Sequence, residues 1–254
     1  MWGIRKHNED KILINAPAGL LLIADGMGGH DAGEVASLEA ITLINQLFPQ
    51  YLPKEIALTR WQRLQAYLGF GFNQAAQITS TSDDYQQVAQ DILIETNKHV
   101  FQLNQKRHAP KGTGMGTTLV GCYLLPDAQQ LLVFHIGDSR LYRVNTAHQL
   151  EQITKDHSVL QLWHDNGCIG EPPNANVVLQ AIGPYATIQP SVQMLTIDTD
   201  LDAYFLLCSD GLSDMLDESD LTEILSTLGD QPLEAVVQKL IDSANDKGGR
   251  DNIS

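Results

Sequence analysis

Four segments with predicted strand character run directly into an aspartate, and this repetition constrains the fold more than any other feature. The four acids are Asp25, Asp138, Asp210 and Asp251. A carboxylate at the end of a buried strand loses solvation, so it needs a cation or hydrogen bonds. The segments carry too few Lys and Arg to pair with all four. The sequence therefore predicts a divalent metal site, and Mg²⁺ or Mn²⁺ suits it because both take oxygen ligands.

An ordinary β-turn is the alternative interpretation of each Asp-Gly pair, since this dipeptide is common in turns. A single motif would favour the turn. Four such acids, with Glu9 and Asp10 ahead of them, favour the metal site.

The hydrophobic pattern predicts an α+β fold in one domain, residues 1–254. A hairpin is expected over residues 11–24, and helical spacing predicts one helix that Pro49 ends and a second over residues 85–105. Strands dominate the second half. Because strands and helices occur in runs, without regular alternation, we do not expect a doubly wound sheet.

Charge and composition exclude several classes of protein. The chain has 254 residues, 16 Lys and Arg against 31 Asp and Glu, and a net charge of −15, which argues against nucleic-acid binding. Its longest apolar run is too short to span a membrane, and no signal segment is evident. We expect a cytoplasmic protein. The three cysteines, widely spaced, are interpreted as buried apolar residues in a reducing compartment.

Eight short blocks, in order along nearly the whole chain, resemble the signature motifs of the bacterial metal-dependent protein phosphatases of the protein phosphatase 2C type. The blocks are Arg5-Lys6-His7-Asn8-Glu9-Asp10, Ala24-Asp25-Gly26-Met27-Gly28-Gly29-His30, Gly114-Met115-Gly116-Thr117-Thr118, Gly137-Asp138-Ser139-Arg140, Thr154-Lys155-Asp156-His157-Ser158, Ala181-Ile182-Gly183, Cys208-Ser209-Asp210-Gly211-Leu212 and Gly248-Gly249-Arg250-Asp251-Asn252-Ile253.

The resemblance implies a four-layer α-β-β-α sandwich, two antiparallel sheets flanked by helices, and hydrolysis of phosphoserine and phosphothreonine in proteins. It implies two Mn²⁺ or Mg²⁺ ions that activate a bridging hydroxide for attack. Asp25 would bridge them, the Gly26 carbonyl would ligate one, and Asp210 with Asp251 would hold the other. Asp138 would bind a weaker third ion with Asp210.

Further roles follow from the same resemblance. Glu9 and Asp10 would ligate metal or position its waters, and their division of labour stays open. Arg5 would bind the substrate phosphate, because its planar guanidinium can donate two parallel hydrogen bonds. The alternative is a structural role for Arg5, as an ion pair with Glu9. His30 is either the acid that protonates the leaving oxygen or a packing residue at a helix entry.

The chain departs from the family pattern in three places. The first and last edge strands are expected to be absent or abbreviated, residues 50–84 form a long insertion, and the flap, about residues 157–183, is short. The insertion is either a partner-binding element or, as we favour, an extra packing helix. The expected partners are phosphorylated proteins and a bacterial serine/threonine kinase.

Two alternative functions fit parts of the sequence. A phosphatase-like module without turnover would act as a regulatory partner, but such a module should lose carboxylates, and Asp10, Asp25, Asp210 and Asp251 are all present. A nucleotide-phosphate loop over residues 26–29 lacks the Lys and the glycine spacing that this loop requires.

Overall fold

The computed structural model describes residue 5 and residues 7–28, 32–52, 82–109, 114–125, 129–198 and 202–254. Most of the predicted insertion, as well as His30, lies outside these residues. The strands are β1 Lys11–Asn15, β2 Leu20–Ala24, β3 Gly26–Met27, β4 Gly116–Thr117, β5 Leu119–Leu124, β6 Gln130–Ile136, β7 Arg140–Asn145, β8 Leu150–Gln152, β9 Ser191–Thr196 and β10 Asp202–Cys208. The helices are α1 Ala32–Tyr51, α2 Ser82–Lys106, α3 Val159–Asp165, α4 Asp210–Ser213, α5 Glu218–Leu225 and α6 Leu233–Asp246.

A five-stranded antiparallel sheet, in the order β1-β2-β5-β6-β9, carries helices α1 and α2 on one face. The apolar side chains of β2 and β6 meet those of the helices there, because alternate residues of a strand point to the same face. Phe48 of α1 packs against Phe134 of β6 with ring centroids 4.8 Å apart and ring planes tilted by 33°. This cluster is the largest part of the core.

A three-stranded antiparallel sheet, in the order β10-β7-β8, packs against helices α4, α5 and α6 through a second apolar cluster. Side chains from both sheets meet in a third cluster. Ile23, Val120 and Val133 come from the larger sheet and Leu141 from the smaller one. The structure therefore confirms the expected α+β class with antiparallel sheets and helices.

A short ribbon of β3 and β4 pairs Gly26 with Thr117 and Met27 with Gly116. It continues the path of β2 beyond Asp25. The backbone carbonyl of Asp25 accepts hydrogen bonds from Thr118 N at 2.9 Å and from Thr117 Oγ1 at 2.8 Å. The ribbon thus holds the acidic end of β2 in place.

Several predicted elements agree with the structure, and three details were wrong. Pro49 does not end the first helix, which continues to Tyr51, because a proline in the last turn sacrifices only one helical hydrogen bond. Strand β9 was not predicted; its side chains alternate only between exposed and half-buried positions, so its apolar pattern is weak. Cys168 is exposed, in a left-handed turn after α3, whereas Cys122 and Cys208 are buried as expected.

No helix within the described ranges has both the length and the apolar character needed to cross a bilayer.

Candidate metal centre

Asp10 stands just before β1 and is 4% exposed. Its Oδ2 accepts a hydrogen bond from Ser209 Oγ at 3.0 Å, which links the beginning of the chain to the segment after β10. Burial raises the pKa of Asp10, the hydrogen bonds from neighbouring hydroxyls oppose the rise, and the charge of Asp251 adds to it. The group is thus a desolvated acid beside other acids.

Asp25 follows β2, and its carboxyl group lies against those of Asp10 and Asp210. Loss of solvation raises its pKa well above the ordinary range, and the charges of Asp210 and Asp10 raise it further. The carboxyl groups of Asp25 and Asp210 lie close enough to influence each other's charge directly. Two neighbouring carboxylates repel each other, so this site favours added positive charge.

The backbone around Asp25 is close-packed because glycine occupies the next position. A Cβ atom on Gly26 would lie 2.3 Å from the carbonyl oxygen of Gly33 and 2.7 Å from that of Glu9. Ser37 Oγ of α1 also donates to the Glu9 carbonyl, at 2.6 Å. The start of α1, Glu9 and the Gly26 backbone therefore adjoin one another.

Asp210 begins helix α4 directly after β10, and loss of solvation raises its pKa. The segment with Asp251 packs onto it so closely that a Cβ atom on Gly211 would lie 1.9 Å from the carbonyl oxygen of Asn252. Asp251 Oδ2 pairs with Arg5 Nη2 at 2.6 Å. Asp210 and Asp251, 41 positions apart in sequence, thus present neighbouring carboxylates.

Asp138 lies in the tight connection between β6 and β7 and is 8% exposed. Burial raises its pKa to about 7, and the charges of Asp210 and Asp156 contribute. Asp138 therefore interacts electrostatically with Asp210, and through it is connected to Asp10, Asp25 and Asp251. We call Asp10, Asp25, Asp138, Asp210 and Asp251 the acidic cluster.

Three buried oxygens of the acidic cluster lack a hydrogen-bond partner among the described residues: Oδ1 of Asp10, of Asp138 and of Asp210. Buried polar atoms are otherwise almost always satisfied. An all-oxygen donor set with orphaned carboxylate atoms fits a hard divalent cation. In the part of the chain that is described, no three His, Cys, Asp or Glu side chains could together hold one metal ion as they stand. The fit therefore lies in donor chemistry and desolvation, not in completed coordination geometry.

The sequence-predicted residues meet in one place, with one exception. Asp10, Asp25, Asp210 and Asp251 interact with one another, and Asp138 interacts with Asp210. Glu9 lies beside the Gly26 backbone, and Arg5 pairs with Asp251. His30 lies outside the described residues, so its role stays a prediction.

Sequence reasoning missed several residues that surround the acidic cluster. Ser209 bonds Asp10, and Asn252 ties the two chain ends together, with Nδ2 donating to the His7 carbonyl at 3.0 Å and Oδ1 accepting from Glu9 N at 2.9 Å. Asp214 reaches solvent, yet partial burial and the charge of Asp210 raise its pKa to about 6. Its position, one helical turn after Asp210, is the signal that could have found it.

This chain is similar to known proteins over nearly its whole length. Residues 5–246 match the sequence model of a family described as protein phosphatase 2C. The serine/threonine phosphatase stp of Listeria monocytogenes is 30% identical over 261 residues, covering 99% of this chain and 89% of that protein.

Two solved structures resemble the fold. The Mycobacterium tuberculosis serine/threonine phosphatase PstP/Ppp superposes with a TM-score of 0.74 at 28% identity, over 100% of this chain and 92% of that one. The catalytic domain of the serine threonine protein phosphatase PstP in complex with 2 manganese ions gives a TM-score of 0.72, also at 28% identity and with the same coverage.

Proposed function

Since this chain belongs to the protein phosphatase 2C family and is a metal-dependent serine/threonine protein phosphatase, we propose that its acidic cluster binds two Mn²⁺ or Mg²⁺ ions for the hydrolysis of phosphoserine and phosphothreonine in proteins. The observation that carries the proposal is the meeting of Asp10, Asp25, Asp210 and Asp251 with orphaned buried oxygens between them. Few cations from the chain itself are available to offset so many carboxylates.

Each acid has a proposed place. Asp25 would hold both ions, the Gly26 carbonyl would hold one, and Asp210 with Asp251 would hold the other. Glu9 and Asp10 would hold metal or orient water. The central position of Asp25 supports this assignment, because it interacts with Asp10, Asp210 and Asp251. Asp138 with Asp210 offers a weaker third site, supported by the orphaned Oδ1 of each. When bound, such ions lower the pKa of water and offset charge on phosphoryl oxygens.

Arg5 is proposed to bind the substrate phosphate. Its guanidinium stays protonated and can donate two parallel hydrogen bonds to phosphate oxygens. The ion pair with Asp251, 2.6 Å long, holds that guanidinium at the acidic cluster. A phosphate bound there would lie beside the acidic cluster. His30 is proposed as the group that protonates the leaving oxygen.

The fold supports three finer proposals. The three successive apolar clusters support a four-layer sandwich in one catalytic domain. Residues 157–183 are proposed as a flap anchored at both ends, since His157 N donates to the Gly137 carbonyl at 2.8 Å and Ile182 bridges to Thr117. The proposed partners are phosphoproteins and a bacterial serine/threonine kinase, and the proposed compartment is the cytoplasm, which suits three free thiols.

The test is hydrolysis of a small aryl phosphate and of a phosphothreonine peptide with Mn²⁺ and then with chelator. We expect Asp25→Asn to lower kcat/KM at least about a hundredfold. Substitution of residues that merely support metal ligands already lowers metal affinity or activity about 10- to 100-fold. The same substitution should not destabilise the chelated protein, since it removes a desolvated charge from the midst of other acids.

Asp242→Asn is the matched control, because Asp242 lies on the exposed side of α6, hydrogen-bonded to Gln238. It should keep full activity. Equal rates with and without chelator, or full activity of Asp25→Asn, would contradict the proposed mechanism.

A further inference from the structure

Arg140 brings a positive charge to the edge of the acidic cluster. It begins β7, two residues after Asp138, and pairs in register with Cys208, two residues before Asp210. Its charge acts on Asp214, whose carboxyl group in turn interacts with Asp210. A cation in this position opposes the binding of any second cation by the same acids.

Asp156 covers this guanidinium with a fork of hydrogen bonds. Arg140 Nε donates to Asp156 Oδ1 at 3.0 Å and to Oδ2 at 3.1 Å, and Nη2 donates to Oδ2 at 2.7 Å. The Asp156 side chain is 7% exposed and that of Arg140 is 25% exposed. A pair this sheltered from water interacts more strongly than a surface ion pair.

Two neighbours hold the pair in position. Arg140 Nη1 donates to the Tyr142 hydroxyl at 3.1 Å, and Gln152 Nε2 donates to Asp156 Oδ1 at 3.1 Å. Gln152 also donates to the Thr154 carbonyl at 2.8 Å, which secures the segment that carries Asp156. The carboxylate therefore stays against the guanidinium and lies near enough to Asp138 to act on its charge.

We propose that Asp156 is a positioning residue that cancels the charge of Arg140, so that the acidic cluster keeps its affinity for divalent cations. The inference rests on the proposed function, and it adds a counter-ion outside the ligand set. The Arg140–Asp156 pair as a whole is neutral. Loss of the Asp156 charge leaves a net positive charge beside Asp138 and Asp214. This charge repels a divalent ion twice as strongly as a monovalent one at the same distance.

The test measures Mn²⁺ binding to chelator-treated, dialysed protein by isothermal titration calorimetry. Urea unfolding checks that each variant is folded. Asp156→Asn keeps an oxygen that can accept from Arg140 but removes the charge, and we expect its Kd for Mn²⁺ to rise about tenfold. The double variant, with Arg140→Gln in addition, removes both charges, and we expect its Kd to return to within about threefold of the unaltered chain.

Glu151→Gln is the matched control. It also removes one negative charge from an Arg–carboxylate pair of the same sheet, but its partner is Arg143 and its side chain is 58% exposed. We expect its Kd to stay within about twofold of the unaltered chain, because solvent screens an exposed pair.

A purely structural role for Asp156 predicts that the double variant binds Mn²⁺ as weakly as Asp156→Asn or more weakly, and this result would overturn the inference. Unchanged affinity of a folded Asp156→Asn protein would overturn it as well. Should Asp156→Asn fail to fold, the double variant decides: near-normal affinity supports the inference, and a tenfold loss overturns it. An unaltered chain that takes up no Mn²⁺ would refute the proposed function itself, and the inference with it.

Discussion

Arg5 shows what a single residue contributes to the proposed site. Its side chain is 54% exposed, so its ion pair with Asp251 adds little to the stability of the fold. The same exposure leaves the guanidinium accessible to an incoming phosphate. We therefore expect Arg5 to matter for binding and not for folding.

We expect Arg5→Ala to raise KM for a small aryl phosphate at least about tenfold while kcat changes less, because the lost hydrogen bonds act on ground and transition states alike. Arg5→Lys should give an intermediate KM, since it keeps the charge but loses the fork. Steady-state kinetics at saturating Mn²⁺ measure both values. An unchanged KM in Arg5→Ala would remove Arg5 from the site.

At the scale of elements, helix α2 holds two loops in place through hydrogen bonds from two of its side chains. Asn97 and Asn104 lie seven residues apart, two helical turns, and both are buried on the same face. Asn104 Nδ2 donates to the carbonyls of Met115 at 2.7 Å and Gly183 at 3.0 Å, and its Oδ1 accepts from Met115 N at 3.0 Å. Asn97 Oδ1 accepts from Gly183 N at 2.8 Å. The Met115 loop leads directly to Thr117, and Ile182 of the other loop forms a β-bridge with Thr117, whose hydroxyl donates to the Asp25 carbonyl.

Asn104→Ala should lower the free energy of unfolding by about 2 to 4 kcal/mol, because three buried backbone groups lose their partner. Urea unfolding in the presence of chelator measures this loss without a contribution from metal. Gln102→Ala, at an exposed position of the same helix, is the control and should cost well under 1 kcal/mol. An equal loss of unfolding free energy in the two variants would contradict the role of α2 in holding these loops.

The helices and most strands could be predicted from local sequence because their signals are local. Ser158 precedes α3 and caps it by accepting from Gln161 N at 3.1 Å, and the apolar residues of α1 recur at helical spacing. Strand β9 could not be predicted in this way. Its place is decided by its pairing with β6, which begins in register with Ser191 opposite His135.

At the scale of the whole molecule, the acidic cluster and the stacked His135 and His157, one buried and one half-buried, make stability depend on pH in opposite directions. His135 and His157 stack with ring centroids 4.6 Å apart. Burial, together with the neighbouring His135, lowers the pKa of His157 to about 4, below the value of about 6.5 for a free side chain. The Gly137 amide donates to its Nδ1 at 3.2 Å, so the neutral ring is the form that the fold binds.

His157 therefore stabilises the fold fully above about pH 6.5, and this contribution is lost as the pH falls towards about 4. His157→Asn keeps an acceptor for Gly137 and cannot titrate. Between pH 7 and pH 5, we expect the free energy of unfolding of the unaltered chain to fall by about 1 to 2 kcal/mol more than that of this variant. This is less than the full pKa shift implies, because solvent reaches part of the ring.

Urea unfolding at several pH values, with chelator, measures the difference. The acids of raised pKa act oppositely, since Asp138 takes up its proton near pH 7 in the fold and gains stability as the pH falls. They are common to both proteins and cancel in the comparison. His164→Asn, at an exposed position, is the control, and a parallel pH dependence of the His157→Asn and unaltered proteins would contradict the assignment.

The sequence by itself determined the chemistry of this protein: which strands end in aspartate, where helices begin, and that the surplus of acids calls for cations. Only the tertiary structure decided which atoms meet. Asn252 bonds the backbone of His7 and Glu9, 245 and 243 positions away, and Ser209 reaches Asp10 across 199 positions. The physical reason is range, because periodicity and caps act over a few residues, whereas these contacts exist only once the sheets have packed and brought both ends of the chain to one edge.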